Sequence, residues 1–362
     1  MKTHRNTVII GTGRAIPHVE VPNSRFLENT FFADDGKPVP PGTNAEIIDK
    51  FQKITDISER RYAEDHVLAS DLATEAGAAA VEDAAIDPER LDYIVVAHNF
   101  GDVLTNNRRS DFVPSLAARV KRSLGIANPE CIAYDLPFGC PGWVQAVIQA
   151  DYFLRSGDAG LALIIGAETL SRVSDPHDRD SMIYSDGAGA AVLEARDSDR
   201  PAGVLAHAAR SDTKDHGRLL WMGESYNPDV EDNRLFLKMY GRKLYNYALT
   251  TVPGVVKKSL DRAELDLTDV SKIFLHQANA KMDEAILRRL FDHYDAGPPD
   301  AEALMPMSIS WLGNSSVATV PTLLDLVCKG DIEGHELNPG DIVVFASVGA
   351  GMNINSVVYR WV

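Results

Sequence analysis

Short apolar runs alternate along the chain with segments whose apolar residues recur every three or four positions. TVIIGTG (7–13), DYIVVAHN (92–99), LALIIGAE (161–168) and GAAVLEA (189–195) have the length and content of buried strands. Helical spacing marks a segment near 69–85 and another after Pro114. This alternation predicts an α/β protein whose sheet strands are mostly buried.

A faint duplication refines that picture. ERLDYIVVAHN (89–99) has a counterpart in TDVSKIFLHQAN (268–279), each a polar lead-in, an apolar strand and a turn containing His. DLPFGCPGWVQAVIQADYFLRSGD (135–158) matches SISWLGNSSVATVPTLLDLVCKGD (308–331): an extended piece, then Gly-Cys or Gly-Asn, then a helix. The strands LALIIGAE and DIVVFASVGAG follow, and GAAVLEA and NINSVVYRW close the two halves. Two pseudo-equivalent α/β halves are therefore expected, residues 1–198 and 199–362. Cys140 and Asn314 fall at matching places, each at the start of a helix. A helix N-terminus offers unpaired N–H groups and a positive dipole end, which lower a thiol pKa and stabilise an oxyanion. Residues 31–47 and 98–112 read as long polar loops able to cover a site.

Composition mainly excludes. With 362 residues, 45% of them hydrophobic, the chain can bury a large core. No run approaches the roughly 18 apolar residues of a membrane span, and the start is too short in apolar residues for a secretion signal, so a cytoplasmic location is expected. The net charge of -16 argues against a nucleic-acid surface. Cys131, Cys140 and Cys328 show no pairing or metal-ligand spacing, so neither a disulfide framework nor a metal site is suggested. Cys131, beginning a strand, and Cys328, in a helix, read as packing residues.

Cys140 differs from them because glycines flank it in PFGCPGW and helical spacing follows. A buried core cysteine is the ordinary alternative. His276 follows the strand KIFL at a sheet end, where α/β proteins place functional groups, although a structural His is the plainer reading. Asn314 in WLGNSSVATVP could equally be a helix cap. Together they supply a thiolate, a base or hydrogen-bond donor and an amide donor, the set nucleophilic acyl transfer needs. SVGAG (347–351) could add an oxyanion-binding N–H beside that of Cys140. GTGR (11–14) hints at a phosphate loop, but Pro17 interrupts the helix that such a motif requires.

On these residues the sequence resembles beta-ketoacyl-acyl carrier protein synthase III of the thiolase superfamily. YDLPFGCPGW looks like that family's nucleophile turn, SRVSDPHDR with SDGAGAAVLEA its mid-chain signature, HQAN (276–279) its His and GNSSVATVP (313–321) its Asn. The resemblance implies a duplicated thiolase-like fold in five layers (α-β-α-β-α) and a homodimer. It implies that Cys140 takes an acyl group from an acyl thioester, whereas His276 and Asn314 bind the carbonyl of malonyl-acyl carrier protein as it decarboxylates. No cofactor is implied beyond acyl-coenzyme A or acyl-carrier protein as substrate. Ala350 falls where the family has an oxyanion-hole Gly, with Gly351 beside it. Lys281, Arg288 and Arg289, on one helical face, match the family's docking surface for acyl carrier protein.

Departures concern the substrate. Within 47–62 the family has a Trp and an Arg that hold the adenine of coenzyme A, where this chain offers Lys50 and Ile54. Arg179 is retained, Arg242 replaces an Asn at the pantetheine arm, and Val113 replaces an aromatic at the partner-contributed gate of the acyl pocket. A carrier-protein donor and a longer or branched acyl chain are expected from these changes. One rival is a specialised-metabolism relative that joins two acyl chains or acylates an oxygen or nitrogen nucleophile. A papain-like cysteine hydrolase and a non-catalytic carrier-binding protein are the others.

Overall fold

The computed structural model describes residues 4–40, 43–231 and 233–362; positions 41 and 42 of the 31–47 loop, and positions 1–3, lie outside the described residues. In chain order the elements that frame the site are β1 (His4–Ala15), α1 (Asn44–Thr55), α2 (Ala69–Asp83), β2 (Tyr93–His98), α3 (Leu116–Ser123), β3 (Ile132–Pro137), α4 (Gly142–Ser156), β4 (Leu161–Thr169) and β5 (Asp186–Ser198). There follow β6 (Gly203–Ser211), α5 (Gly241–Arg262), β7 (Val270–Leu275), α6 (Ala280–Asp292), α7 (Thr319–Cys328), β8 (Ile342–Gly349) and β9 (Asn353–Arg360).

One sheet has the order β1-β5-β4-β2-β3, with β2 parallel to both β3 and β4 and the other pairs antiparallel. The second runs β6-β9-β8-β7, with β7 parallel to β8 and the rest antiparallel. Three cores lie between the layers. Side chains of α2 and α3, such as Leu72 and Val120, pack on the outer face of the first sheet. Helices α4 and α7 lie between the sheets, where Trp143, Val147, Leu323 and Val327 meet Ile164 from one and Phe345 from the other. Helices α5 and α6 cover the second sheet's outer face through Val252, Val256, Ile286 and Leu290. The result is five layers, α-β-α-β-α. Helix α7 is buried from Thr319 to Val327, as a helix enclosed by two sheets must be.

The two sheets differ in strand number. SISWL, expected to be extended, makes a single helical turn at Ile309–Leu312, and among the described residues no strand flanks β7 on its outer side. Ile309 and Leu312 are both buried and three apart, a helical spacing. GTGR lies in the C-terminal half of β1. A methyl at Gly11 would stand 2.4 Å from Ala84 N, and one at Gly13 2.4 Å from Ala76 O, so these glycines serve close strand-helix packing.

The 98–112 excursion is an ordered hairpin pairing Asp102–Val103 with Ser110–Asp111. Arg119 anchors it, 2.5 Å from Asp102 and 3.0 Å from Asp111. A second hairpin, Leu220–Gly223 with Phe236–Met239, is fixed beside the DPHDR segment through Lys238. Its ammonium lies 2.5 Å from Asp175, 3.3 Å from Asp178 and 3.5 Å from the centre of the Tyr226 ring.

Candidate active site

Cys140 and Asn314 each lie two residues before a helical segment, at Gly142 and Ser316. They open into one cavity of about 540 Å3, lined also by His276, Asn99, Ser316, Gly349 and Ala350. His276 and Asn314 are buried at its floor. Lys50, Arg179 and Arg242 line it as exposed side chains at its mouth. Between them the walls are apolar, with Ile47, Phe51 and Ile54 of α1 facing Leu237 and Met239 of the second hairpin.

The expected lowering of the Cys140 thiol pKa by the helix terminus is not what the site produces. Burial pushes it up to about 11; the Ser316 hydroxyl opposes that shift and the Glu168 charge adds to it. Desolvation of the thiolate is the largest influence on that pKa.

Burial lowers His276 to about 3, so its imidazole is neutral and carries a single ring N–H. Its Nδ1 lies 2.7 Å from Thr319 Oγ1, and the backbone N–H donates to Ala346 O at 2.9 Å. Thr319 Oγ1 is also 3.0 Å from Ser316 O. One hydroxyl proton serves either acceptor. When it goes to Nδ1, the His276 proton sits on Nε2. Asn314 is fixed more simply. Its Oδ1 accepts from Ser316 N–H at 2.8 Å and its backbone joins Ile183 O at 2.9 Å, which leaves the side-chain NH2 as its free donor.

Gly351, at φ 76°, takes the left-handed position of the SVGAG turn, which is why alanine is accommodated at Ala350. Ala350 lines the cavity and Gly351 does not. Among the described residues no turn or cap carbonyl accepts the N–H of Cys140 or of Ala350.

Lys281, Arg288 and Arg289 are exposed on α6 and outside the cavity. Val113 is 85% exposed and does not reach the cavity of its own chain. Cys131 is buried, but Cys328 is exposed at the end of α7 rather than packed in the core. Among the described residues no group of His, Cys, Asp or Glu could hold a metal ion.

Sequence reasoning missed Ser316, Thr319, Asn99 and Glu168. Ser316 Oγ lies 3.3 Å from Cys140 Sγ and 3.0 Å from Asn99 Nδ2. Glu168 accepts from the Asn99 backbone N–H at 2.9 Å and also from its side-chain NH2. Burial raises Glu168 to about 8, against those two bonds. A lone carboxylate ending the apolar run LALIIGAE was the available signal, since an acid in a buried strand is rare without a purpose.

A five-layer fold with a cysteine, a neutral histidine and an amide donor in one cavity has the arrangement of a thiolase-like condensing enzyme. Comparison with known proteins narrows this. Models of the 3-oxoacyl-[acyl-carrier-protein (ACP)] synthase III family match residues 134–213 and, for its C-terminal part, residues 260–361. A beta-ketoacyl-[acyl-carrier-protein] synthase III of Erythrobacter litoralis is 32% identical over 355 residues, covering 98% of each chain. The crystal structure of 3-oxoacyl-[acyl-carrier-protein] synthase III from Aquifex aeolicus superposes with a TM-score of 0.78 at 27% identity, covering 98% of this chain and 100% of that one. The priming beta-ketosynthase of the R1128 polyketide biosynthetic pathway gives 0.80 at 25% identity, covering 99% and 97%. The chain belongs to the 3-oxoacyl-[acyl-carrier-protein] synthase III family of acyltransferase-type condensing enzymes.

Proposed function

We propose that the protein loads an acyl group from a thioester onto Cys140 and condenses it with malonyl-acyl carrier protein. In loading, a bond forms between Cys140 Sγ and the acyl carbon, the donor C–S bond breaks, and the thiol proton ends on the departing sulfur. The Cys140 and Ala350 amides hold the oxyanion. In condensation, the malonyl thioester carbonyl takes hydrogen bonds from His276 Nε2–H and Asn314 Nδ2–H while the bond to the carboxylate carbon breaks, releasing carbon dioxide and leaving its electron pair on the carbanion. The carbanion attacks the acyl-cysteine, a C–C bond forms, and Cys140 leaves and regains a proton. Neutral donors suit this step, because an imidazolium would protonate the carbanion instead of stabilising it. The scheme needs no cofactor.

The observation that carries this reading is the single cavity lined at once by Cys140, His276, Asn314 and Ala350. Arg179, Arg242 and Lys50 at the mouth suit the phosphate of a phosphopantetheine arm, and the exposed Lys281, Arg288 and Arg289 suit an acidic carrier protein. With Lys50 and Ile54 in the stretch where the family holds adenine with a Trp and an Arg, the mouth favours a carrier-bound acyl donor.

A homodimer belongs to the same proposal. Strand β3 is an edge with Ile132 49% exposed, and Leu104, Phe112 and Val113 form exposed apolar surface on the neighbouring hairpin and the chain just after it. A second copy would cover that edge and carry Val113 toward the partner's acyl pocket. We place the reaction in the cytoplasm, consistent with three free cysteines; among the described residues no helix is long and apolar enough to cross a membrane.

Incubation with a panel of acyl-coenzyme A and acyl-carrier-protein donors, with and without malonyl-carrier protein, tests the proposal. A Cys140 adduct that is converted to a ketoacyl product supports it. An adduct that persists when malonyl-carrier protein is added counts against condensation.

A further inference from the structure

Resting on Cys140 as nucleophile, we infer that the Ser316 hydroxyl is a catalytic donor to the Cys140 sulfur, and that Asn99 and Glu168 are the positioning residues that turn it there. Asn99 Nδ2 carries hydrogens and no lone pair for bonding, so at 3.0 Å the Ser316 oxygen must accept from it. With that lone pair engaged, the hydroxyl proton is directed to its other neighbour, Cys140 Sγ, at 3.3 Å.

An asparagine amide could flip and present its oxygen instead, in which case Ser316 would donate to Asn99 and not to sulfur. Glu168 prevents this. Its Oε1 accepts both from the Asn99 backbone at 2.9 Å and from the Asn99 side-chain NH2, so the NH2 stays between Glu168 and Ser316. Glu168 is 1% exposed and Ser316 4%, so both are largely shielded from water, with Asn99 half-buried at the cavity wall.

Ser316 itself is held at φ 53°, a left-handed conformation uncommon for a residue with a side chain. The strain is sustained by the bond from Ser316 N–H to Asn314 Oδ1 at 2.8 Å, and Thr319 Oγ1, whose proton serves either His276 Nδ1 or this residue, lies 3.0 Å from Ser316 O. One residue thereby links Asn314, the histidine's partner Thr319 and the nucleophile. The hydroxyl acts whenever Cys140 bears negative charge: as the thiolate attacks the donor thioester, and again as it departs from the ketoacyl product.

The test is the pH dependence of Cys140 alkylation by iodoacetamide, which needs no knowledge of the natural acyl chain. Ser316→Ala and Ser316→Gly both remove the hydroxyl but have opposite backbone consequences, since glycine relaxes the left-handed strain and alanine retains it. Losing a hydrogen bond to a charged sulfur should raise the midpoint by about one pH unit in both variants, about a tenfold loss of reactivity at any pH below it. Combining Asn99→Ala with Ser316→Ala should shift the midpoint no further than Ser316→Ala alone, because Asn99 acts through Ser316. Unchanged midpoints in both single variants, or additive shifts in the double variant, would overturn the inference. Either result would leave Cys140 acylation, and so the proposed function, standing.

Discussion

Replacing Gly349 by alanine tests the geometry at the nucleophile most sharply. Gly349 has φ -167° and ψ -161°, extended values that any residue adopts, so the substitution brings contact and no backbone strain. The added methyl would stand 2.5 Å from Cys140 N and 2.8 Å from both Cys140 Cβ and Pro141 Cδ. Carbon atoms in contact prefer about 3.5–4.0 Å, so the end of β8 and the nucleophile turn must part by about 1 Å. Overpacking of this kind costs about 1–3 kcal/mol of stability, while a misplacement of about 1 Å in reacting groups costs about 100-fold in rate. Loading of Cys140, followed by intact-protein mass spectrometry, should therefore slow about 100-fold while thermal unfolding still reports a folded protein. Gly139→Ala should act from the other side, its methyl 2.6 Å from Ala350 N. A folded Gly349→Ala variant that loads at the wild-type rate would refute the claim that these two backbones jointly form the oxyanion site.

Thr319→Val removes the hydroxyl that can place the His276 proton on Nε2, so decarboxylation should fall by about tenfold or more with loading less affected, measured by separate single-turnover assays. Since His276 stays neutral down to about 3, decarboxylation should show no acidic limb from it between about pH 4 and 9. Lys238→Met leaves Asp175 and Asp178 buried without their cation and should cost about 3–5 kcal/mol in denaturant unfolding. Burial raises Glu168 from the ordinary 4.5 to about 8, so the folded state binds its proton more tightly. The stability that this supplies is fully present below about pH 4.5 and is lost as pH rises through 8. The gain in Tm on Glu168→Gln should therefore be larger at pH 8.5 than at pH 5.

Much of the architecture was legible because strands buried on both faces become unbroken apolar runs, and because the two halves repeat the same order of runs and turns. SISWL misled for a physical reason. Its alternating pattern suits a strand, yet Ile309 and Leu312 bury together only if the segment coils. The candidate triad was legible from Gly-marked turns, but the sign of the thiol shift was not. A helix terminus can be read locally, whereas the burial that raises the thiol pKa comes from β8 and the 314–319 segment, far away in sequence. The hydroxyl of Ser316 was hidden for the same reason: its distance to sulfur is set by tertiary packing. The apolar wall of α1 went unread because the Lys50 and Ile54 departures drew notice to single positions rather than to the face shared by Ile47, Phe51 and Ile54.

The central claim is that Cys140 carries the acyl group through condensation. Its most direct test is intact-protein mass spectrometry of wild type and Cys140→Ala after incubation with acyl donors, followed by addition of malonyl-carrier protein. The account predicts an adduct on Cys140 in the wild type that disappears into a ketoacyl product, and neither adduct nor product in Cys140→Ala; full condensation by Cys140→Ala would contradict it.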